Sequence, residues 1–194
     1  MSESSIRVDH REGLSFPNAA MQALIKPFAR IIPKPPPPIE DAGSPQINPQ
    51  GAALEIGHVE ESIVAETGTY TFSNKAAEKQ STTHKLYYFA GSVFRGGPAK
   101  EHWILCAELC LELPQYEINI VSYPLALNNP APTTIPHLQR LYHTLAEQSK
   151  REGWRITLMG DSSGANLALL LGIYSTSEFL NDNNAEVCPL KNIW

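Results

Sequence analysis

The sequence predicts an α/β domain: a mostly parallel sheet with helices on both faces, preceded by a Pro-rich N-terminal extension. Three observations predict it. Short apolar runs at Leu86-Tyr87-Tyr88-Phe89-Ala90, Ile118-Asn119-Ile120-Val121-Ser122-Tyr123 and Ile156-Thr157-Leu158-Met159 have the length and character of buried strands. Segments with apolar residues at helical spacing lie between and after them. The last run leads through Gly160-Asp161-Ser162-Ser163-Gly164 into a Leu- and Ala-rich helix, the strand, turn and helix in which G-x-S-x-G lifts a serine hydroxyl out of a sheet.

Residues 1–50 read as an N-terminal cap and linker segment, and residues 51–194 as the domain proper. Met21 to Ile32 is weakly amphipathic and interrupted by Pro27, the pattern of a cap helix over a site. Pro33 and the run Pro35-Pro36-Pro37-Pro38 then hold the chain extended, as a stiff connector in preference to a docking ligand. Val59 to Phe72 mixes β-branched and aromatic residues and predicts one or two half-exposed edge strands with Gly68 at a bend or bulge. Residues 73–83 are polar and predict a loop before the first central strand, Leu86 to Ala90.

Trp103, Cys106, Cys110 and Leu113 then recur at helical spacing until Pro114 stops the helix. The next strand, Ile118 to Tyr123, leads into a Pro- and Asn-rich loop. Leu138, Leu141, Tyr142 and Leu145 mark a second amphipathic helix, with Thr133 or Thr134 as its cap and Lys150, Arg151 and Gly153 at its end. Strand and helix thus alternate from Leu86 onward, which calls for parallel strands and right-handed crossovers. Ligands in such sheets bind beyond the carboxyl ends of the strands, where the loop after Ala90 and the 160–164 turn both lie.

Composition narrows the partners. The net charge of -5 supplies no basic stripe, so nucleic acid is not expected and an anionic membrane surface is not favoured. Cysteine is odd in number, three residues, and Cys106 and Cys110 sit four apart in a helix, which argues for buried thiols in a reducing compartment. No Cys or His cluster completes a ligand set, so neither metal nor cofactor is expected. Residues 1–9 lack a basic-then-apolar leader, and no run approaches the ~18 apolar residues of a membrane span. A cytoplasmic location without a transmembrane segment is the expectation.

Ser162 needs help to act as a nucleophile: a histidine base, a carboxylate to orient it, and backbone donors for the oxyanion. One donor is the Ser163 amide at the start of the helix. The others are expected from the loop after the first central strand, which runs from Phe89 to Pro98. Gly160 and Gly164 are needed because the turn is tight.

On its Gly-bearing loop, Ser122-Tyr123-Pro124-Leu125-Ala126, and Gly160-Asp161-Ser162-Ser163-Gly164-Ala165-Asn166-Leu167-Ala168, the chain resembles the hormone-sensitive-lipase-like branch of the α/β-hydrolases, especially fungal esterases and steryl-ester deacetylases. The resemblance covers residues 86–174 and implies a partial α/β-hydrolase fold. It also implies carboxylic-ester hydrolysis through an acyl-enzyme on Ser162, with a small-molecule acyl or sterol ester as substrate. The chain departs from that family in its loop, where the His-Gly-Gly-Gly motif falls on Ala90-Gly91-Ser92-Val93, which restricts where φ can be positive; the resemblance implies that the loop donors are the amides of Gly91 and Ser92, with Val93 the alternative if the register shifts. Asp161 reads as a scaffold residue.

A second departure concerns the base. The fold's order is Ser, then acid, then His, yet no histidine comes after Ser162; His10, His58, His84, His102, His137 and His143 all precede it and read as surface or packing residues. Glu178, Asp182 and Glu186 lie too near the elbow helix to be the family's acid, and Val187 to Trp194 resembles the lead-in to the next strand. The expectation is therefore a chain truncated before its acid and base, weak or inactive as an esterase, or else a non-catalytic chain that binds a hydrophobic ligand or partner. An uncovered sheet edge would favour self-association. Gly-Asp-Ser-Ser-Gly is also like a motif of chymotrypsin-like proteases, but Ala165 to Tyr174 reads as helix where that all-β fold continues as strand.

Overall fold

The computed structural model describes residue 20 and residues 42–74, 82–126, 128–181 and 190–193. The chain divides into two compact units, residues 1–36 and 37–194, and every element below belongs to the second. The expected cap helix, the four-proline run and Cys188 lie outside the described residues.

The elements are α1 (Gly51–Ile56), β1 (Gly57–Val64), β2 (Thr67–Asn74), β3 (His84–Phe89), α2 (Lys100–Glu112), β4 (Tyr116–Ser122), α3 (Ala131–Glu152), β5 (Arg155–Gly160), α4 (Ser162–Asn181) and β6 (Leu190–Ile193). They build a six-stranded sheet of order β1-β2-β4-β3-β5-β6. β4, β3, β5 and β6 run parallel, and the β1–β2 hairpin is added antiparallel on β4.

Alternation across the sheet sorts the core into two layers. Leu86 and Tyr88 of β3 face one side, where Ile118, Ile120, Tyr70 and Phe72 meet Trp103, Cys106 and Ala107 of α2. Tyr87 and Phe89 face the other, against Leu138, Leu141 and Leu145 of α3 and Leu167, Ala168 and Leu171 of α4. Parallel strands buried on both faces are continuously apolar for this reason. The sequence makes β3, β4 and β5 conspicuous on the same ground.

Three expectations need correction. The bend between the first strands is not at Gly68, which lies inside β2 opposite Ser122; it is at Ala65 and Glu66, whose φ values of 46° and 63° give the two-residue turn with positive φ at both centres. β2 is also no edge strand, since it is paired on both sides by β1 and β4. α3 begins at Ala131, with Pro130 rather than a threonine at its cap position. The Thr134 hydroxyl instead donates back to the Asn129 carbonyl at 3.0 Å. A proline in the first turn has no amide to leave unpaired, so Pro132 fits that start. The helix ends as expected, at Gly153 with φ 78°.

Residues 42–50 pack along the sheet. The Ile47 amide donates to the Tyr70 hydroxyl at 2.9 Å, the Gly68 amide to Ser44 Oγ at 2.8 Å, and Ser44 Oγ to the Ser122 carbonyl. This strap fastens the hairpin to the carboxyl end of β4, where the loops of the site begin.

Candidate active site

The chain must reverse from strand to helix between Gly160 and Ser162, and it does so by placing Ser162 at φ 47°. A left-handed conformation costs a residue with a Cβ roughly 1–2 kcal/mol, a cost borne here by the packing around it. The reversal leaves Ser162 exposed at the carboxyl end of β5. No side chain among the described residues hydrogen-bonds its hydroxyl.

The flanking glycines answer to a backbone contact. A Cβ on Gly164 would lie 2.5 Å from the Phe89 carbonyl carbon, and one on Gly160 would lie 2.7 Å from the Gly164 carbonyl carbon. Their absence lets β5, β3 and the first turn of α4 touch. That turn closes on the Asp161 carbonyl, which accepts from the Gly164 and Ala165 amides at 2.8 and 3.1 Å.

The loop after β3 lies directly against the elbow: a Cβ on Gly91 would come within 2.8 Å of Ser162 Cβ. The Gly91 amide and the Tyr88 hydroxyl both donate to Asp161 Oδ1 at 2.7 Å. His102, three residues into α2, accepts the Ala99 amide on Nδ1 at 2.8 Å and turns Nε2 toward the same carboxylate oxygen, 3.5 Å away. Partial burial alone would raise the Asp161 pKa, but these hydrogen bonds and His102 outweigh it and hold the carboxyl below its ordinary value of 3.8. Asp161 is thus an ionised tether joining β3, the loop and α2 to the elbow.

Ser163 reaches the next part of the loop. Its side chain is buried, and Oγ accepts the Ser92 amide at 3.0 Å and the Phe94 amide at 3.3 Å. The loop can present both amides because Val93 and Phe94 are left-handed, φ 53° and 59°. Arg95 N–H to the Ser92 carbonyl (2.9 Å) and Ala126 N–H to the Phe94 carbonyl (2.6 Å) hold the curl. Tyr123 closes the group by donating to the Ala90 carbonyl at 2.7 Å; burial pushes its pKa up to about 12, against a lowering hydrogen bond from Ser163.

The structure therefore brings together Ser162, Ser163, Gly91, Ser92, Gly160 and Gly164, all expected from sequence. It places the Gly91 and Ser92 amides on protein acceptors, Asp161 and Ser163, while the Ser163 amide has no hydrogen-bond partner among the described residues. Tyr88, Phe94 and His102 join the site without a local sequence signal, whereas Tyr123 belongs to the Ser122–Ala126 run that supports the resemblance. Each meets the elbow or its loop only through tertiary contact.

The other described histidines are engaged elsewhere or exposed. His137 pairs with Thr67, His143 with Tyr174, His84 stacks on Tyr116, and His58 is exposed on β1. Among the described residues, no group of three His, Cys, Asp or Glu side chains could hold a metal ion. No helix among them is long and apolar enough to cross a membrane.

A mixed sheet of this order, with a serine on a strained turn after β5 and an amide-bearing loop after β3, defines an α/β-hydrolase. The family described as "alpha/beta hydrolase fold" matches residues 86–189, and the chain belongs to it. It is similar to Lipase 2 of Moraxella sp. (strain TA144), 32% identical over 122 residues that make up 59% of this chain and 28% of the relative. It is also similar to an esterase of Acinetobacter venetianus, 33% identical over 93 residues, 48% of this chain and 30% of the relative. The chain thus spans under a third of the length of these relatives. Among solved structures, an esterase from Pyrobaculum calidifontis superposes with a TM-score of 0.54 at 21% identity, covering 66% of this chain and 43% of that one. An esterase/lipase from an uncultured bacterium does so at 0.54 and 18% identity, covering 80% and 53%. At such identities the superpositions speak for the fold.

Proposed function

We propose that the protein is a serine carboxylic-ester hydrolase of the hormone-sensitive-lipase-like branch, fungal esterase or steryl-ester-deacetylase in type, acting through an acyl-enzyme on Ser162. One observation carries the reading: Ser162 is exposed on a left-handed elbow beside a loop whose amides converge on the adjacent residue. In that chemistry Ser162 Oγ adds to the ester carbonyl, its proton passes to a base, and backbone N–H groups hold the negative oxygen. The alcohol leaves with a proton, and water then releases the acid. Ser163 N–H is the first donor, and Gly91 and Ser92 of the loop are the others. A small acyl or sterol ester is the proposed substrate, and neither metal, cofactor nor nucleic acid is needed.

The same reading makes this 194-residue chain a weak catalyst. No described histidine hydrogen-bonds Ser162, and loss of a triad member typically costs on the order of 10⁴-fold or more in rate. A specific observation also favours a second, non-catalytic reading, a chain that binds a hydrophobic ligand or partner: both expected loop donors are already occupied. Residues 1–50 are proposed as cap and linker and residues 51–194 as part of the hydrolase domain, with residues 42–50 adding to its packing. A cytoplasmic location and self-association belong to the same proposal.

A fluorophosphonate probe followed by intact-mass measurement separates the readings. We expect slow labelling of the wild-type chain and none of Ser162→Ala. Equal labelling of both would remove Ser162 as nucleophile, whereas no labelling of the wild type on prolonged exposure would favour the non-catalytic reading.

A further inference from the structure

We propose that the Ser163 hydroxyl is a built-in occupant of the oxyanion site: it fills the amide cradle of the loop after β3 and has to rotate away before that cradle can hold a negative oxygen. The proposal rests on Ser162 being the nucleophile, and it assigns the residue beside it a gating role that its expected part as an amide donor does not include.

Successive backbone N–H groups in a turn can point inward and make a concavity suited to anions. The loop turns tightly at Val93 and Phe94, φ 53° and 59°, and both are residues that disfavour this left-handed conformation. The Ser92 and Phe94 amides converge on one point, and that point is occupied by a neutral hydroxyl oxygen at 3.0 and 3.3 Å. An anionic oxygen would make shorter and stronger bonds with the same donors. Ser163 is buried, so water does not compete freely for these amides. Its own amide, lacking a partner among the described residues, sits on the same residue. Rotation about one side-chain bond would therefore release the Ser92 and Phe94 amides beside that of Ser163, with Phe94 taking the place of Gly91, whose amide stays bonded to Asp161.

A merely structural hydroxyl, bracing the loop, predicts the opposite behaviour. Removing a brace would loosen the loop and weaken any anion site; removing an occupant would open it.

The test uses the full chain, backbone amide NMR and n-butylphosphonate as a non-covalent oxyanion. In the wild type, the Ser92 and Phe94 amides are expected to be protected from exchange and little moved by the phosphonate. In Ser163→Ala, both should exchange about tenfold faster, as for loss of one hydrogen bond, and shift on titration with an affinity at least about tenfold tighter than wild type. Ser163→Cys keeps the side-chain shape but puts a larger, weaker acceptor in place of the oxygen, and should move the same amides in the same direction, which covers a failure of the alanine variant to fold. Unprotected Ser92 and Phe94 amides in the wild type, or phosphonate binding unchanged or weakened in the variants, would overturn the proposal. Fluorophosphonate labelling of the same samples keeps the two readings apart: a responding cradle with an unreactive Ser162 retains the gate and removes the nucleophile, and a reactive Ser162 beside unresponsive amides does the reverse.

Discussion

Val93 is 73% exposed and β-branched, yet it holds φ at 53°. Nothing about its side chain favours this; the loop does, by turning the neighbouring amides toward Ser163. Val93→Gly should relieve a steric cost of about 1–2 kcal/mol while adding back about 0.5–1 kcal/mol of unfolded-chain entropy. A net gain of roughly 0.5 kcal/mol is expected, read as a higher urea midpoint at unchanged slope. A loss of stability would show that the Val93 side chain contributes packing. At this scale the sequence is legible where chemistry is local. Gly160, Ser162 and Gly164 announce a turn by spacing alone, and Gly91 marks the loop. The partner of the Ser163 hydroxyl is not legible, because Ser92 lies 71 residues earlier and only the pairing of β3 with β5 brings the two together.

Among the elements, the central strands and the three long helices follow from apolar periodicity, although the last helix continues to Asn181, seven residues beyond the Tyr174 at which the sequence reading stops. The β1–β2 turn is hidden because Ala65-Glu66 carries none of the Asn or Gly chemistry that positive φ prefers. Part of what holds that turn comes from α3. Arg140 Nη2 donates to His137 Nδ1 at 3.5 Å, His137 Nε2 is left to donate to Thr67 Oγ1 at 2.8 Å, and Thr67 Oγ1 donates to the Ala65 carbonyl at 3.4 Å. Protonation would put a second N–H on the nitrogen that faces Arg140. Burial first, and Arg140 second, lower the His137 pKa below its ordinary 6.5, against the opposing pull of Glu66.

A histidine with a lowered folded pKa binds fewer protons than the unfolded chain, so stability rises with pH across that interval. Stability should be fully present above 6.5, decline as pH falls below it, and level off below the folded value. Urea unfolding from about pH 8 to about pH 5 would show the decline in the wild type and its loss in His137→Gln. An unchanged profile in the variant would place the sensitivity elsewhere.

For the molecule as a whole, the alternation of strand and helix is enough to predict the layered α/β architecture, because each layer must bury an apolar face against the next. The edges are less legible. Among the described residues the sheet ends at β1 and β6, since β6 pairs with β5 and removes it from the edge. β1 carries Glu60 and Glu61, charges of the kind that discourage strand addition, but also Ile63 at 75% exposure. Leu169 and Ile173, one turn apart on α4, are also exposed. These surfaces support the proposed self-association. Size-exclusion chromatography with light scattering should show a mass above that of one chain, falling toward it in Ile173→Lys with dilution. A concentration-independent monomer in the wild type would count against it.

The two core layers also differ in a way that bears on how unfolding could be watched. Trp103 lies within the α2 layer, its ring 5.7 Å from Tyr70 and edge-on to it, whereas Trp154 lies in the opposite layer with the Lys85 ammonium 4.7 Å over its ring. Each side of the sheet thus carries its own indole, one among neutral rings and one beneath a cation. With Trp194 and either of these two replaced by phenylalanine, the emission of the one that remains becomes a private optical label for a single face of the protein.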